Sequence, residues 1–316
     1  MKTVTVTPDM AKDDAPRVVA LGFFDGLHSG HRALLFKARQ IALSSGLEFA
    51  VFTFTSEGEI KRDAPRLYST KQRLALFEDI GAETVFLADF KSVAGLGAEQ
   101  FVRDLLVESL GARIAVAGYN FRFAKGASAG ADELEELMQK HGGRAEILPP
   151  YLYRGEPIST SQVRLLLKSG EIEEANRMLG APYFLTGTVE HGRGRGHGFG
   201  FPTLNLSHEG DSLLPKCGVY RSLTVIDGAA YPSVTNVGVC PTVGERPVHS
   251  ETHIIDREVD AYGKSVRVYL LGYLREEKHF SSEKELIKQI NIDKNATIQK
   301  YMEEKETLNS LLGISV

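Results

Sequence analysis

The pattern of apolar residues changes at Ala181-Pro182 from strands alternating with helices to short strands, and that change limits what the chain can fold into. Before it, short apolar runs alternate with amphipathic ones. Val18 to Phe23, Glu48 to Phe54, Thr84 to Phe90, Arg113 to Ala117 and Ala145 to Leu148 have strand character. Between them, His31 to Leu43, Ser69 to Ile80, Ala98 to Leu110 and Asp132 to His141 carry helical spacing. Ser69 with Gln72 reads as a capping box, and Gly81 as the stop of that helix. This alternation predicts an α/β doubly wound parallel sheet, with ligands at the carboxyl ends of its strands where the order reverses. Two short helices follow, Ser161 to Lys168 and Ile172 to Leu179. Beyond them only short strands are expected: Tyr183 to Val189, Gly218 to Val225, Tyr231 to Val237, Glu251 to Ile255 and Val266 to Leu274. With Asp227-Gly228 as a hairpin turn, these predict a small antiparallel β-barrel, and Ser282 to Leu312 a C-terminal helix across it. The expected domains are 1–181 and 182–316.

Composition narrows the class. An apolar share of 42% and a charged share of 25% are those of a soluble globular protein. A net charge of -4 argues against nucleic acid as a partner, since dedicated binders carry a basic surplus. Cys217 and Cys240 are too few for a disulfide scaffold and fit a reducing cytosol. Met1 to Pro16 is polar and does not read as a signal peptide. No run approaches the roughly 18 apolar residues of a membrane span. The expected location is therefore cytoplasmic, without a membrane partner; the oligomeric state is left open.

Two segments carry chemistry. The first is Gly22-Phe23-Phe24-Asp25-Gly26-Leu27-His28-Ser29-Gly30-His31, directly after a predicted strand. A strand, a glycine-bounded turn and a helix start bring backbone N–H groups and the positive helix end to one point. His28 and His31, three apart, can both face that point and donate to phosphate oxygens as their charge grows. A surface pair or a two-histidine metal site are the alternatives, the latter lacking a nearby third ligand. The second segment is Gly198-Phe199-Gly200-Phe201-Pro202-Thr203-Leu204-Asn205. It closes a loop with glycine at 192, 194, 196, 198 and 200, interleaved with Arg193, Arg195 and His197. Such a loop can wrap phosphates, though flexible connectors look the same. Thr203 and Asn205, on one face of a strand, offer a hydroxyl and an amide oxygen, hard ligands suited to Mg²⁺ carrying ATP.

The first segment resembles the His-x-Gly-His signature of the nucleotidyltransferase superfamily. Ile158-Ser159-Thr160-Ser161-Gln162-Val163-Arg164 is similar to that superfamily's second signature, and alone would read as a helix cap. The resemblance implies catalytic roles for His28 and His31, and ATP binding by Gly22, Phe23, Asp25, Gly30, Ser159, Ser161 and Arg164. Gly118-Tyr119-Asn120-Phe121-Arg122-Phe123-Ala124-Lys125-Gly126 resembles the flavin-holding segment of bacterial flavin-adenylating enzymes, implying flavin contacts at Asn120, Phe121, Arg122 and Phe123. That family often has glycine at the position of Ala124 and an acidic residue near Asn120. It usually reads Asp-Pro-His-Pro near Thr55-Ser56-Glu57-Gly58.

Phe201-Pro202-Thr203-Leu204-Asn205 resembles the signature of riboflavin kinases. The likeness continues through Gly218-Val219-Tyr220, Thr235-Asn236-Val237-Gly238, Pro241-Thr242, Glu251-Thr252-His253-Ile254 and Leu274 to Phe280. Cys240 departs from the larger polar or basic residue usual there. The likeness implies Glu251 as general base, Thr203 and Asn205 at the metal, Gly198 and Thr203 at ATP, and Arg275 at nucleotide or flavin. For Arg275 a surface salt bridge is the alternative. Together the two resemblances imply a bifunctional bacterial riboflavin kinase and FAD synthetase, with riboflavin, FMN and ATP as its ligands. FMN and FAD are then substrate and product rather than prosthetic groups, and Mg²⁺ accompanies ATP. A riboflavin kinase or flavin-binding regulator with an impaired adenylylating domain is the alternative. A His-x-Gly-His enzyme acting on tRNA is a more distant one, disfavoured by the absent basic surplus.

Overall fold

The computed structural model describes residues 1–7, 10–55, 65–191, 200–208, 212–238 and 249–313. They form two compact units, Met1–Thr160 and Ser161–Val316. The periodicity changes at Ala181-Pro182, whereas compactness divides the chain earlier, inside the helix Thr160–Ser169.

The first unit contains strands β1 (Lys2–Val6) and β2 (Arg17–Leu21), helix α1 (Ser29–Ser45), β3 (Glu48–Phe54), α2 (Thr70–Ile80) and β4 (Thr84–Ala88). Next come α3 (Phe90–Val93), α4 (Ala98–Gln100), a π-helix (Phe101–Ser109), β5 (Ala112–Gly118), α5 (Ala131–Lys140) and β6 (Arg144–Leu148). A small hairpin, β7 (Leu152–Tyr153) and β8 (Glu156–Pro157), closes it. The six-stranded sheet is parallel, in the order β1-β4-β3-β2-β5-β6. From β2 the chain winds outward through β3 and β4, then returns to β5 on the other flank. The switch point therefore lies between β2 and β5, where ligands of such sheets bind. All five residues of β2 are buried, as a central parallel strand demands.

Local chemistry sets the ends of these elements. Ser69 and Gln72 form the expected capping box, and Gly81 ends α2 with φ 94°. The strand expected from Val18 to Phe23 stops at Leu21. The one expected from Thr84 to Phe90 stops at Ala88, because Asp89 accepts the Lys91 N–H and caps α3. The single helix expected from Ala98 to Leu110 is mostly π-helical, with the Leu110 N–H reaching Leu105 O. No element was expected in the polar amino-terminal run. Val4 and Val6 of that run nevertheless reach the core, so β1 pairs with β4 as an edge strand.

The second unit begins with α6 (Thr160–Ser169) and α7 (Ile172–Leu179). A closed antiparallel barrel follows: β9 (Tyr183–Glu190), β10 (Leu204–His208), β11 (Gly218–Ile226), β12 (Ala229–Gly238), β13 (His249–Ile254) and β14 (Ser265–Arg275). Helix α8 (Glu283–Leu312) completes it. Asp227 and Gly228, with φ of 50° and 80°, turn β11 into β12 as a two-residue hairpin. The barrel interior is partly polar. Ser222 bonds Ser233 and Thr235, Thr224 bonds Ser233, and Thr235 bonds Thr252, so these buried hydroxyls satisfy one another. Arg221 fastens the outside, pairing with Glu173 of α7 at 3.6 Å and Glu304 of α8 at 2.6 Å.

Candidate functional site

At the carboxyl end of β2 the chain turns through Gly22 to Leu27 into α1. His28 is the N-cap, its Nδ1 accepting the backbone N–H of His31 at 3.3 Å. The two rings stack with centroids 3.7 Å apart. Burial pushes the His28 imidazole down to about 4, and burial together with its neighbour holds His31 still further below the ordinary value. Both rings are therefore neutral at pH 7. Because Nδ1 of His28 accepts, its proton sits on Nε2, which remains a donor. Nδ1 of His31 is buried with no partner among the described residues. A Cβ on Gly30 would lie 3.2 Å from the His28 ring and 3.3 Å from Tyr151 Cβ, so glycine lets the pair close. No group of three or more His, Cys, Asp or Glu suited to a metal occurs among the described residues, so the two-histidine metal reading gains no third ligand there.

The rest of the turn is braced by its surroundings. Asp25 is 2% exposed and its Oδ1 accepts the Leu67 N–H at 2.9 Å, so this carboxylate ties the turn to the segment before α2. The Phe23 carbonyl accepts from Thr53 Oγ1 and from Arg73 Nη1, both at 2.9 Å. The Phe23 ring carries the Arg66 guanidinium at 4.3 Å and that of Arg73 at 5.0 Å. These two buried cations beside the turn were not anticipated from the sequence. Their only signal there is a pair of arginines flanking the Ser69 cap.

Across the switch point, at the carboxyl end of β5, lies the segment from Gly118 to Gly126. Tyr119 and Asn120 form an exposed turn closed by the Phe121 N–H on Gly118 O at 2.9 Å. Phe121 stacks on Phe123 at 5.7 Å, and Phe123 packs at 5.0 Å on Phe101, the first residue of the π-helix. Arg122 donates to Ala127 O at 3.2 Å. Ala124 has φ 64° and ψ 175°, a conformation nearly confined to glycine. Ser159, exposed, lies next to last in the first unit, while Ser161 and Arg164 lie on the first turn and a half of α6 in the second. Residues 56–58, Gly198, Cys240 and Pro241-Thr242, all read from the sequence, lie outside the described residues.

In the barrel, pairing builds a row that the sequence does not display. Asn205 on β10 stands directly opposite Glu251 on β13, and Glu251 opposite Asn236 on β12. Asn236 is in turn opposite Val219 on β11, and Val219 opposite Arg275 on β14. Directly paired residues share a face, so all five project outward, away from the hydroxyl-lined interior. Above the row, Leu286, Ile290 and Asp293 of α8 cover a cavity of about 680 Å³ that Thr203, Asn236, Glu251, His253 and Arg275 also line. That size suits a small organic ligand. Arg275 is no surface ion pair: it grips Asp293, which is 5% exposed, at 2.8 and 3.0 Å, and Gln289 donates to the same carboxylate at 2.9 Å. Thr203 precedes β10, so strand alternation places Asn205 but not Thr203; the latter reaches the cavity from the preceding segment. Asn236 donates from Nδ2 to Glu277 Oε1 at 2.9 Å.

Comparison with known proteins agrees with both halves. A family described as FAD synthetase matches residues 10–162, and one described as riboflavin kinase matches residues 179–301. The bifunctional riboflavin kinase/FMN adenylyltransferase of Bacillus subtilis is 32% identical over 95% of this chain and 98% of that protein. The Escherichia coli K12 protein of the same description is 30% identical over 87% of this chain and 90% of its own length. A crystal structure described as a macrolide-efflux protein from Streptococcus pneumoniae shares the fold, with a TM-score of 0.80 and 29% identity, covering 94% of this chain and 99% of that one. Among the described residues no helix is long and apolar enough to cross a membrane. With a histidine-bearing turn at the switch point of a parallel sheet and a carboxylate-bearing cavity on a closed barrel, the chain belongs to the bifunctional riboflavin kinase/FMN adenylyltransferase family.

Proposed function

We propose that residues 182–316 phosphorylate riboflavin through Glu251 and that residues 1–181 adenylate FMN at the turn carrying His28 and His31. The observation that carries this is the outward row of Asn205, Glu251 and Asn236 beneath the covered cavity. An alcohol keeps its proton until it attacks, so the kinase half needs a base at the nucleophile. The ribityl 5′-oxygen forms the new bond to the γ-phosphorus, its proton passes to the Glu251 carboxylate, and ADP leaves. Asn205, directly opposite Glu251, and Thr203, on the lining of the cavity that Glu251 also lines, offer neutral hard oxygens. That donor set fits a magnesium ion arriving with ATP, which supplies neutralisation of the phosphate charge. Arg275, held by Asp293, lines the cavity in which the flavin is placed.

The adenylylating half needs no base, because its nucleophile is already an anion. An FMN phosphate oxygen attacks the α-phosphorus of ATP and pyrophosphate leaves. The Nε2–H of His28 and the N–H groups at the start of α1 donate to the phosphate oxygens as charge develops, with Gly22, Phe23 and Gly30 shaping the turn around them. Asp25 acts there by bracing the turn. Ser159 holds the outer phosphates of ATP, and Asn120 to Phe123 hold the flavin. Both halves draw on ATP, which fits work in the cytoplasm. The test is a chromatographic time course of riboflavin with ATP and Mg²⁺, with pyrophosphate measured alongside. FMN should appear before FAD, and pyrophosphate should match FAD alone. FMN that never converts, even when supplied in excess, would overturn the reading of the first half.

A further inference from the structure

His253 lies two residues after Glu251 on β13, on the same outward face, and lines the same cavity. It is 9% exposed. Its Nδ1 is 2.9 Å from the carbonyl oxygen of Pro202, the residue before Thr203. A carbonyl only accepts, so Nδ1 carries the proton and Nε2 is the lone-pair nitrogen. Nε2 is buried with no partner among the described residues.

The place of this bond matters. The β10–β13 ladder pairs Leu206 with Ser250, Asn205 with Glu251 and Leu204 with Thr252, and runs no further toward Thr203 and Pro202. Pro202 has no N–H to continue it. Beyond that point the strand pairing gives way to a side-chain bond, His253 to Pro202, with the Phe201 ring edge-on to the imidazole at 5.5 Å. Burial also lowers the pKa of the ring, which keeps it neutral and leaves Nδ1–H as its single donor.

Resting on the reading of Glu251 and Thr203 given above, we infer that His253 is a positioning residue of the kinase site. Through the Pro202 carbonyl it holds the Phe201–Thr203 segment against β13 and so sets the hydroxyl of Thr203 relative to the Glu251 carboxylate. It acts on ATP placement and not on riboflavin.

Asparagine and glutamine separate the two ring nitrogens, because the amide nitrogen of Asn sits where Nδ1 was and that of Gln reaches toward Nε2. Steady-state kinase kinetics on the full-length chain should show the KM for ATP rising roughly tenfold to a hundredfold in His253→Leu, with the KM for riboflavin unchanged. His253→Asn should recover most of that loss and His253→Gln should not. FMN adenylation by the same preparations, run in parallel, should match the parent. Recovery by Gln in place of Asn would overturn the inference, making the ring a ligand contact through Nε2. A His253→Leu enzyme with parental ATP kinetics, or one losing riboflavin and ATP alike, would overturn it too. Thr203→Val in the same assay isolates the underlying reading. If that variant keeps the parental KM for ATP, the assignment of Thr203 fails. If it loses ATP while Asn at 253 does no better than Leu, only the role of His253 fails.

Discussion

In the function proposed above, the turn after β2 and the outward row on the barrel both serve phosphate chemistry, yet one is built from neutral imidazoles and the other around a carboxylate. The difference follows from the nucleophile. FMN brings an oxygen that is anionic near neutral pH, so its site has to stabilise charge. Riboflavin brings an alcohol, so its site has to remove a proton. Construction differs accordingly. The imidazole pair sits within four residues of chain, shaped by an N-cap and a glycine. The carboxylate gains its neighbours from strands far apart in sequence.

The sharpest way to break this contrast is to remove the base. Glu251→Gln should lower FMN formation about 10²- to 10⁴-fold while adenylation of supplied FMN continues at the parental rate. Chromatography of the two half-reactions decides it, and loss of both would count against separate sites. The complementary change, His28→Ala, should lower FAD formation about 10²- to 10³-fold and leave riboflavin phosphorylation intact. Unchanged FAD output from that variant would remove His28 from the assignment.

The neutral state of the imidazoles gives a pH test of intermediate size. His28 has a folded-state pKa of about 4, against an ordinary value of 6.5. Above pH 6.5 the ring is neutral folded and unfolded, and its contribution does not vary. As pH falls from 6.5 toward 4, the unfolded chain takes up a proton that the folded chain refuses. Stability is thus present above the window and lost through it, by at most about 3 kcal/mol. Denaturant titrations at pH 7.5 and pH 5 should show a smaller drop for His28→Gln than for the parent chain. An equal drop in both would mean that the buried ring does not resist protonation.

The two regions also differ in how far the sequence discloses them. The capping box of α2, the Asp227-Gly228 hairpin and the placement of His28 and His31 at a helix start all depend on residues within a few positions of each other, and all are readable in one dimension. Strand β1 is not, and β10 is anticipated only around Thr203 and Asn205, without its extent. β1 is a polar run that becomes a strand because Val4 and Val6 find the edge of a sheet formed elsewhere. β10 is five residues long and follows a glycine-rich stretch. The π-helix escapes because its apolar spacing is close to that of an α-helix. The five-residue row escapes for a different reason: register is a property of paired strands, and Asn236 acquires a place beside Glu251 only once β12 and β13 are aligned. Arg275 shows the same limit, since its partner Asp293 is on a helix that no local pattern links to β14.

The smallest expected effect concerns a residue that the resemblance to flavin-adenylating enzymes singles out and backbone geometry explains. Ala124, where related flavin-adenylating enzymes often carry glycine, has φ 64° and ψ 175°. A Cβ in that region is strained by about 1–3 kcal/mol, whereas glycine adopts it freely. Glycine also enlarges the conformational freedom of the unfolded chain, which offsets about 0.4–1 kcal/mol of the relief. Ala124→Gly should therefore stabilise the first unit by about 1 kcal/mol, read as a rise in its thermal midpoint with the barrel's own transition unmoved. Because Phe121 and Phe123 depend on this backbone, a lower KM for FMN should accompany the gain. A fall in stability would show that the surrounding contacts, Phe123 paired with Ala129 and Lys125 N–H on Leu96 O, hold the segment in this shape without strain at Ala124.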